Sequence, residues 1–298
     1  SGDPYLPQIR SLSGEIGGRG KVLDNWYWDF SLFRTTLKND IYFVGVGDGK
    51  SYFDTVGKTR RQGLELGLNG IAGPVEFRIG YSYTRATFES TFYTVSAHNS
   101  SADFDQNSQA IGNTGLVAGQ ATAPSPTATA NQGRGTYLMT RLDPGARMPG
   151  VPLHALNANL SWEATKSLKV GLGMTARSGA YVRGNENNEH QAGGTDSNGI
   201  PTLGTLDPGI TVEPGRRYVG TGRTPGWATL NLLASWQPLP SLSLKLRVDN
   251  LFDRRYATAA QLGPNGFRAD GSFLARPFPE VTLPDGSAER PLRHSTFY

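Results

Sequence analysis

Four histidines, His98, His154, His190 and His294, are the side chains through which this chain could do acid–base chemistry near neutral pH. No cysteine accompanies them, which removes a thiolate nucleophile, a thiolate metal site and a disulfide scaffold. Only His154 stands beside a stretch patterned as a strand, and no G-x-S-x-G block accompanies any of the four. Asp103, Asp105, Glu186 and Glu189 fall in long connections that impose no geometry on them. The one close grouping of histidine with carboxylates, Glu186–Glu189–His190, reads as a solvated loop and not as a metal centre. The expectation is a protein that is not an enzyme, with no resident metal or cofactor.

The elements that would position any site read as strands. Hydrophobic residues make up 37% of the chain and aromatics 10%, with 38 Gly and 19 Pro, so apolar stretches alternate with polar, turn-forming ones. No run of about 18 apolar residues offers a membrane-spanning helix, but a spanning strand needs only about 10 residues with every second one apolar. Such alternation recurs. Trp26, Trp28, Phe30 and Leu32 share one face; Val75, Phe77, Ile79, Tyr81 and Tyr83 share another. Leu156 to Trp162, Leu168 to Ala176, Ala228 to Ala234 and Leu242 to Val248 repeat the pattern. Leu64–Leu68 and, more weakly, Ser11–Arg19 complete about eight strands.

A soluble sandwich also alternates. Three features favour a membrane barrel instead. Short turns near Lys21–Asp24, Ala72–Pro74, Glu163–Ser167 and Gln237–Ser241 take turns with a medium loop near Asp48–Ser51 and long loops over about 97–147, 185–217 and 258–290. Trp26, Trp28, Trp162 and Trp236, four of the five tryptophans, sit close to the short turns, as in an interfacial aromatic girdle. The polar faces carry Glu15, Glu65, Glu76, Arg78, Lys169, Arg177, Lys245 and Arg247, opposite charges that suit a wet lumen. The net charge of +4 is scattered, with no basic run to suggest nucleic acid.

Several blocks resemble the TonB-dependent outer-membrane receptors. SLFRTTLKNDIYFV (Ser31–Val44), GKTRRQGLELGL (Gly57–Leu68) and SLSGEIGGRG (Ser11–Gly20) are similar to that family's barrel strands. VDNLFDRRYATA (Val248–Ala259), with Asn250, Leu251, Phe252, Asp253 and Arg254, resembles its most recognisable barrel motif. The resemblance implies an all-β, antiparallel transmembrane β-barrel in the bacterial outer membrane, with long external loops and short periplasmic turns. These would be about eight late strands of a barrel of about 22. Residues 1–298 are expected to be barrel alone. Neither a plug nor a TonB-contacting segment is recognisable, no export signal opens the chain, and ERPLRHSTFY at its end lacks the apolar alternation of a final strand.

The function so implied is active import of a ferric siderophore or similar large nutrient with TonB-derived energy. Partners would be outer-membrane lipid and lipopolysaccharide, the nutrient ligand, and TonB through the absent plug, with no nucleic acid. Ligand contacts would come from external loops, where aromatics and arginines suit anionic, planar chelates. Tyr93, His98, Phe104, Tyr137, His190, Arg216 and Arg217 are the candidates. The alternative is a small self-closing barrel acting as a passive pore or adhesin.

Overall fold

A computed structural model describes residues 6–47, 50–96, 99, 101, 103–104, 138–191, 220–264, 281–282, 288–289 and 294–297. Among these residues there are strands and turns and no helix. The strands are β1 (Arg10–Leu23), β2 (Trp26–Lys38), β3 (Ile41–Gly47), β4 (Lys50–Thr55), β5 (Thr59–Ala72) and β6 (Val75–Phe88). Then come β7 (Phe92–Val95), β8 (Asp103–Phe104), β9 (Leu138–Leu142), β10 (His154–Thr165), β11 (Leu168–Arg177), β12 (Trp227–Leu239) and β13 (Leu242–Val248). Four short pieces follow: β14 (Gln261–Pro264), β15 (Val281–Thr282), β16 (Ala288–Glu289) and β17 (His294–Phe297).

Eight strands form one antiparallel sheet in the order β1-β2-β5-β6-β10-β11-β12-β13. They are the eight that period-two alternation marks. The sheet does not close on itself: β1 and β13 are its two edges, which departs from the self-closing barrel of the alternative reading. The hairpin β3–β4 and the trio β7-β9-β8 are separate small sheets.

Register explains why alternation is so legible. Across the middle of the sheet apolar residues stand opposite apolar or small residues on the next strand, so each row runs on one side. One row reads Trp28, Leu68, Ile79, Ala158, Met174, Leu230. The next reads Trp26, Gly70, Phe77, Leu160, Leu172, Leu232, Val248. This face is bare. Leu12 is 77% exposed, Ile16 69%, Leu246 56% and Trp162 48%, values that exclude burial against a second sheet. A sandwich would bury these side chains; a face this wide and this apolar needs a partner medium.

The opposite face is polar and small. Its rows include Asp29, Gly67, Gly80, Asn157, Thr175 and Thr229, then Tyr27, Asn69, Arg78, Asn159, Gly173 and Asn231. Lys169 on this face lies 3.7 Å from Glu76 and 3.9 Å from Glu163, each half-exposed or more, so solvent screens both pairs. Gly67 lies directly beside the Asp29 carboxylate, with no room for a Cβ.

β1, β5 and β6 each run 14 residues, longer than the alternating stretches predict. At the upper ends of β5 and β6 the extra residues extend past the apolar band: the row Arg60, Thr87 is polar, while Ala86 and Phe88 on the other side enter a buried cluster. Arg60 and Arg61 lie inside β5: Arg60 Nη2 is 2.8 Å from Glu89 Oε1 and Arg61 Nη2 3.9 Å from Asp40 Oδ2.

Candidate ligand-facing site at the long-connection end

Because the sheet is antiparallel, its connections sort onto two ends. The turns β1–β2, β5–β6, β10–β11 and β12–β13 lie at one end, and β2–β5, β6–β10 and β11–β12 are joined at the other. Trp26, Trp28, Trp162 and Trp236 decorate the short-turn end of the apolar face, with Trp26 edge-on to Phe77 at 4.9 Å. The long end holds the packed part of the molecule. Val44, Val56, Ala86, Phe88, Phe92, Leu142 and Met148 form a buried apolar cluster there, and no buried apolar residue lies in β10 to β13. Phe88 is fully buried and meets Tyr42 at 5.3 Å and Phe92 at 5.0 Å, both edge-on.

A polar knot sits beside this cluster, built from the segment Asn185–His190. Asn99 Nδ2 donates to Gly184 O and to Asn187 Oδ1, both at 2.9 Å. Ser101 Oγ donates to Asn99 Oδ1 at 2.9 Å, and Asn187 Nδ2 donates back to Ser101 Oγ at 2.7 Å. Asn185 Nδ2 donates to Gly222 O at 3.0 Å. Asn188 takes φ +67°, a left-handed geometry that asparagine tolerates; its side chain exchanges hydrogen bonds with the backbone of Arg147 at 2.6 and 2.9 Å. Asparagine serves this knot because one amide can donate and accept at once. The arrangement fastens three connections together before any ligand arrives.

Glu186 is buried, and burial pushes its carboxyl above the usual carboxylate range, against hydrogen bonds from Gly184 N–H and its own N–H, the charge of Arg183 and a hydrogen bond from Tyr42. Burial, then the Glu186 charge, raises the Tyr42 phenol in turn. Arg183 itself is exposed. Its guanidinium centre stands 4.9 Å over the Phe43 ring and 5.5 Å over the Tyr42 ring, while Nη2 donates to Phe43 O at 2.8 Å. Phe43 in turn packs on Phe53 at 5.3 Å, and these rings are 39% and 57% exposed. The result is an open ledge of one cation on two aromatic rings, with the Phe53 ring packed beside them, suited to a flat, anionic ligand. The ledge is not legible in the sequence: IYFVGVG and KSYFDT flank the medium loop as a hairpin, but Arg183 lies 140 residues away from Phe43.

The residues singled out from the sequence fare differently. Tyr93 is partly buried in β7 and pairs with Arg141 of β9; Phe104 lies in β8 opposite Leu138. His98, Tyr137, Arg216 and Arg217 lie outside the described residues. His190 is 4% exposed, its N–H donating to Asn185 Oδ1 at 3.0 Å. Burial lowers its pKa to about 4, opposed by a backbone contact at Gly220, so it is neutral at neutral pH. The Glu186–Glu189–His190 segment is thus a packed corner and not a solvated loop. Polar side chains look solvated in a sequence whenever their partners, here Asn99, Gly184 and Gly222, lie far along the chain. Among the described residues no group of three metal-ligating side chains comes together.

The block Asn250–Arg254 sits at the short sheet edge after β13. Asn250 adopts φ +51° and Asp253 φ +47°. Asn250 N–H donates to Asn231 Oδ1 at 2.8 Å, its Nδ2 donates to Arg254 O at 3.0 Å, and its Oδ1 accepts from Arg254 N–H at 3.0 Å. Leu251 N–H donates to Leu230 O at 2.7 Å, which docks the turn on β12. Leu251 and Phe252 are exposed, Phe252 by 75%.

Residues 1–251 match the family model described as TonB dependent receptor-like, beta-barrel. No curated protein matches the chain. Among solved structures, the siderophore receptor PiuA from Acinetobacter baumannii is 19% identical, covering 84% of this chain and 25% of its own, with a TM-score of 0.48. The ferric yersiniabactin uptake receptor FyuA from Yersinia pestis is 17% identical over 85% of this chain and 26% of its own, TM-score 0.49. The pyoverdine outer membrane receptor FpvA from Pseudomonas aeruginosa, bound to pyoverdine, is 14% identical over 98% and 29%, TM-score 0.48. The chain thus spans about a quarter of the length of these structures. On the family match over most of its length, with an antiparallel all-strand sheet apolar on one face and polar on the other, the chain belongs to the TonB-dependent receptor β-barrels of the Gram-negative outer membrane.

Proposed function

We propose that this chain forms one arc of the wall, and several external connections, of a receptor that imports a ferric siderophore or a similar large nutrient with TonB-derived energy. In hydrocarbon each unpaired backbone group costs several kcal/mol, so the free edges at β1 and β13 call for neighbouring strands. Those strands, the plug and the TonB-contacting segment would belong to the rest of the receptor. The apolar face would meet outer-membrane lipid and the polar face the lumen. Tyr93, Phe104 and the candidates His98, Tyr137, Arg216 and Arg217 remain proposed ligand contacts, while His190 is proposed to order the connection that carries them.

The observation that carries this reading is the ledge of Arg183 over Tyr42 and Phe43. An exposed guanidinium held on aromatic rings by a packed base offers charge and flat surface together, at the end where the long connections gather. The test is uptake of iron-55 as a panel of ferric siderophores by cells whose only such receptor is the full-length protein. Uptake of at least one chelate, abolished when TonB is deleted and with binding weakened about tenfold by Arg183→Ala, is expected; loss of one charge-assisted contact to the ligand, about 1.5 kcal/mol, corresponds to that factor. TonB-independent uptake would contradict active import, and unchanged binding by Arg183→Ala would remove the ledge from the site.

A further inference from the structure

The apolar face does not run the full height of the sheet. Following one side of each strand toward the long-connection end, the row Ile16, Leu32, Leu64, Tyr83, His154 is succeeded by Gly14, Arg34, Gln62, Arg85. The next row is Leu12, Thr36, Arg60, Thr87, extended to Arg147 by the bridge Thr87↔Arg147, and the last is Arg10 opposite Lys38. So from β2 to β6 the side that is apolar below becomes polar above, with arginines on each of these strands, while β1 keeps Leu12. The change is missed by composition because these five arginines come from five separate segments.

Around Arg147 the cations are gathered into a built site. The Arg147 guanidinium centre lies 5.1 Å from the Tyr181 ring and that of Arg223 4.7 Å from the same ring. Tyr181 pairs with Arg223 across a backbone bridge, and Gly150 N–H donates to Tyr181 O at 2.8 Å. Arg147 is pinned from behind by Asn188 and is close enough to Arg85 and Arg223 to be repelled by both. Its Nη2 is buried and has no hydrogen-bond partner, and neither Arg85 nor Arg147 forms an ion pair with a carboxylate among the described residues. Like charges held together around a desolvated, unused donor call for an anion.

We infer that Arg147, Arg85 and Arg223 clamp the phosphate of an acylated, phosphorylated glycolipid of the outer leaflet, its chains lying on the apolar rows directly below. Position selects this occupant. The cluster caps the apolar face at Tyr83 and His154, so a ligand that reaches Arg147 from that side carries hydrocarbon beneath its anion. Guanidinium forks suit phosphate oxygens bidentately, and Tyr181 holds two of them in fixed planes. The clamp would anchor the external connections to the membrane surface through Asn188 and the knot it belongs to. This inference rests on the proposal that the apolar face meets lipid.

The test uses the full-length protein extracted from outer membranes in mild detergent, with binding of bisphosphorylated hexa-acyl lipid A followed by native mass spectrometry. The variants are Arg147→Gln, Arg147→Lys, Arg85→Gln and, as control on the polar face, Lys245→Gln. Heat-modifiable migration confirms the folded barrel before each titration and separately tests the membrane reading. The expected result is a loss of lipid A affinity of about tenfold for Arg147→Gln and Arg85→Gln, with Lys245→Gln unchanged. Arg147→Lys should fall between, since it keeps charge without the fork. Arg85 is exposed, so its variant keeps the test decisive should Arg147→Gln fail to fold. Equal binding by all folded variants, equal binding of dephosphorylated lipid A, or full displacement by inorganic phosphate would each overturn the inference.

Discussion

Replacing Phe88 with alanine should loosen the long-connection end and leave the wall intact. Phe88 is fully buried, edge-on to Tyr42 and Phe92, within a cluster that joins β3, β6, β7 and β9 to the segment around Met148. Truncating a buried phenylalanine costs about 3–5 kcal/mol, through lost transfer energy and a cavity the neighbours fill only in part. At about 1.4 kcal/mol per tenfold, the opened form of this assembly rises by roughly 10²-fold to several thousandfold. Amide exchange of the full-length protein reads this directly. The amides of Phe88, Gly145 and Met148, which bond across that assembly to Ala146, Phe88 and Ala86, should exchange faster by that factor. Those of Leu160, Leu172 and Leu232 in the sheet should not change, because no buried apolar side chain ties them to the cluster. Equal acceleration in both sets, or none in either, would refute the division of the molecule into a packed end and a wall stabilised by its surroundings.

Acid should loosen the same end through His190. Its folded pKa of about 4 lies below the ordinary 6.5, so its contribution is complete above 6.5 and is lost as pH falls through 4, by about 3 kcal/mol. Glu186 acts in the opposite sense: burial raises its carboxyl, so its contribution is present in acid and lost as pH rises above the ordinary carboxylate value. Exchange at residues 185–190, corrected for intrinsic rates, should show the acid loss steepened by Glu186→Gln and abolished by His190→Asn. At the sheet edge, Asn250→Ala forces a Cβ-bearing, non-amide residue to φ +51° and removes two side-chain hydrogen bonds, about 2–3 kcal/mol together. The temperature at which heat-modifiable migration is lost should drop, and Asn250→Gly, free to keep the backbone geometry, should drop less.

What the sequence discloses depends on how far apart the informative partners lie. The eight wall strands are legible because each carries its own signal: Leu168, Val170, Leu172 and Met174 alternate whether or not β10 and β12 are known. The tight turns and the tryptophans beside them are equally local. The upper ends of β5 and β6 are not legible, since the lipid-side row turns polar at Arg60, Arg85 and Thr87, while Ala86 and Phe88 of the other side pack under connections that lie far along the chain. Nor is the packed end. Glu186 and His190 look solvated until Asn99, Gly184 and Gly222 surround them, and those contacts span up to 88 residues of chain. Phe43 and Arg183, 140 residues apart, form the ledge only once the hairpin β3–β4 meets the connection after β11. The basic residues, scattered in the sequence, become one rim only through register.

The central claim is that one face of this sheet meets lipid and the other a wet lumen. The chain has no cysteine, so single cysteines can be placed in the full-length protein at adjacent positions of opposite facing: Glu65 and Leu66, Gly173 and Met174, Asn231 and Leu230. In intact outer membranes, spin labels at Leu66, Met174 and Leu230 should be relaxed by oxygen and not by a water-soluble nickel chelate. Labels at Glu65, Gly173 and Asn231 should show the reverse. A strict alternation along each strand is the predicted result; equal accessibility of both sets to the nickel chelate would contradict the membrane barrel itself.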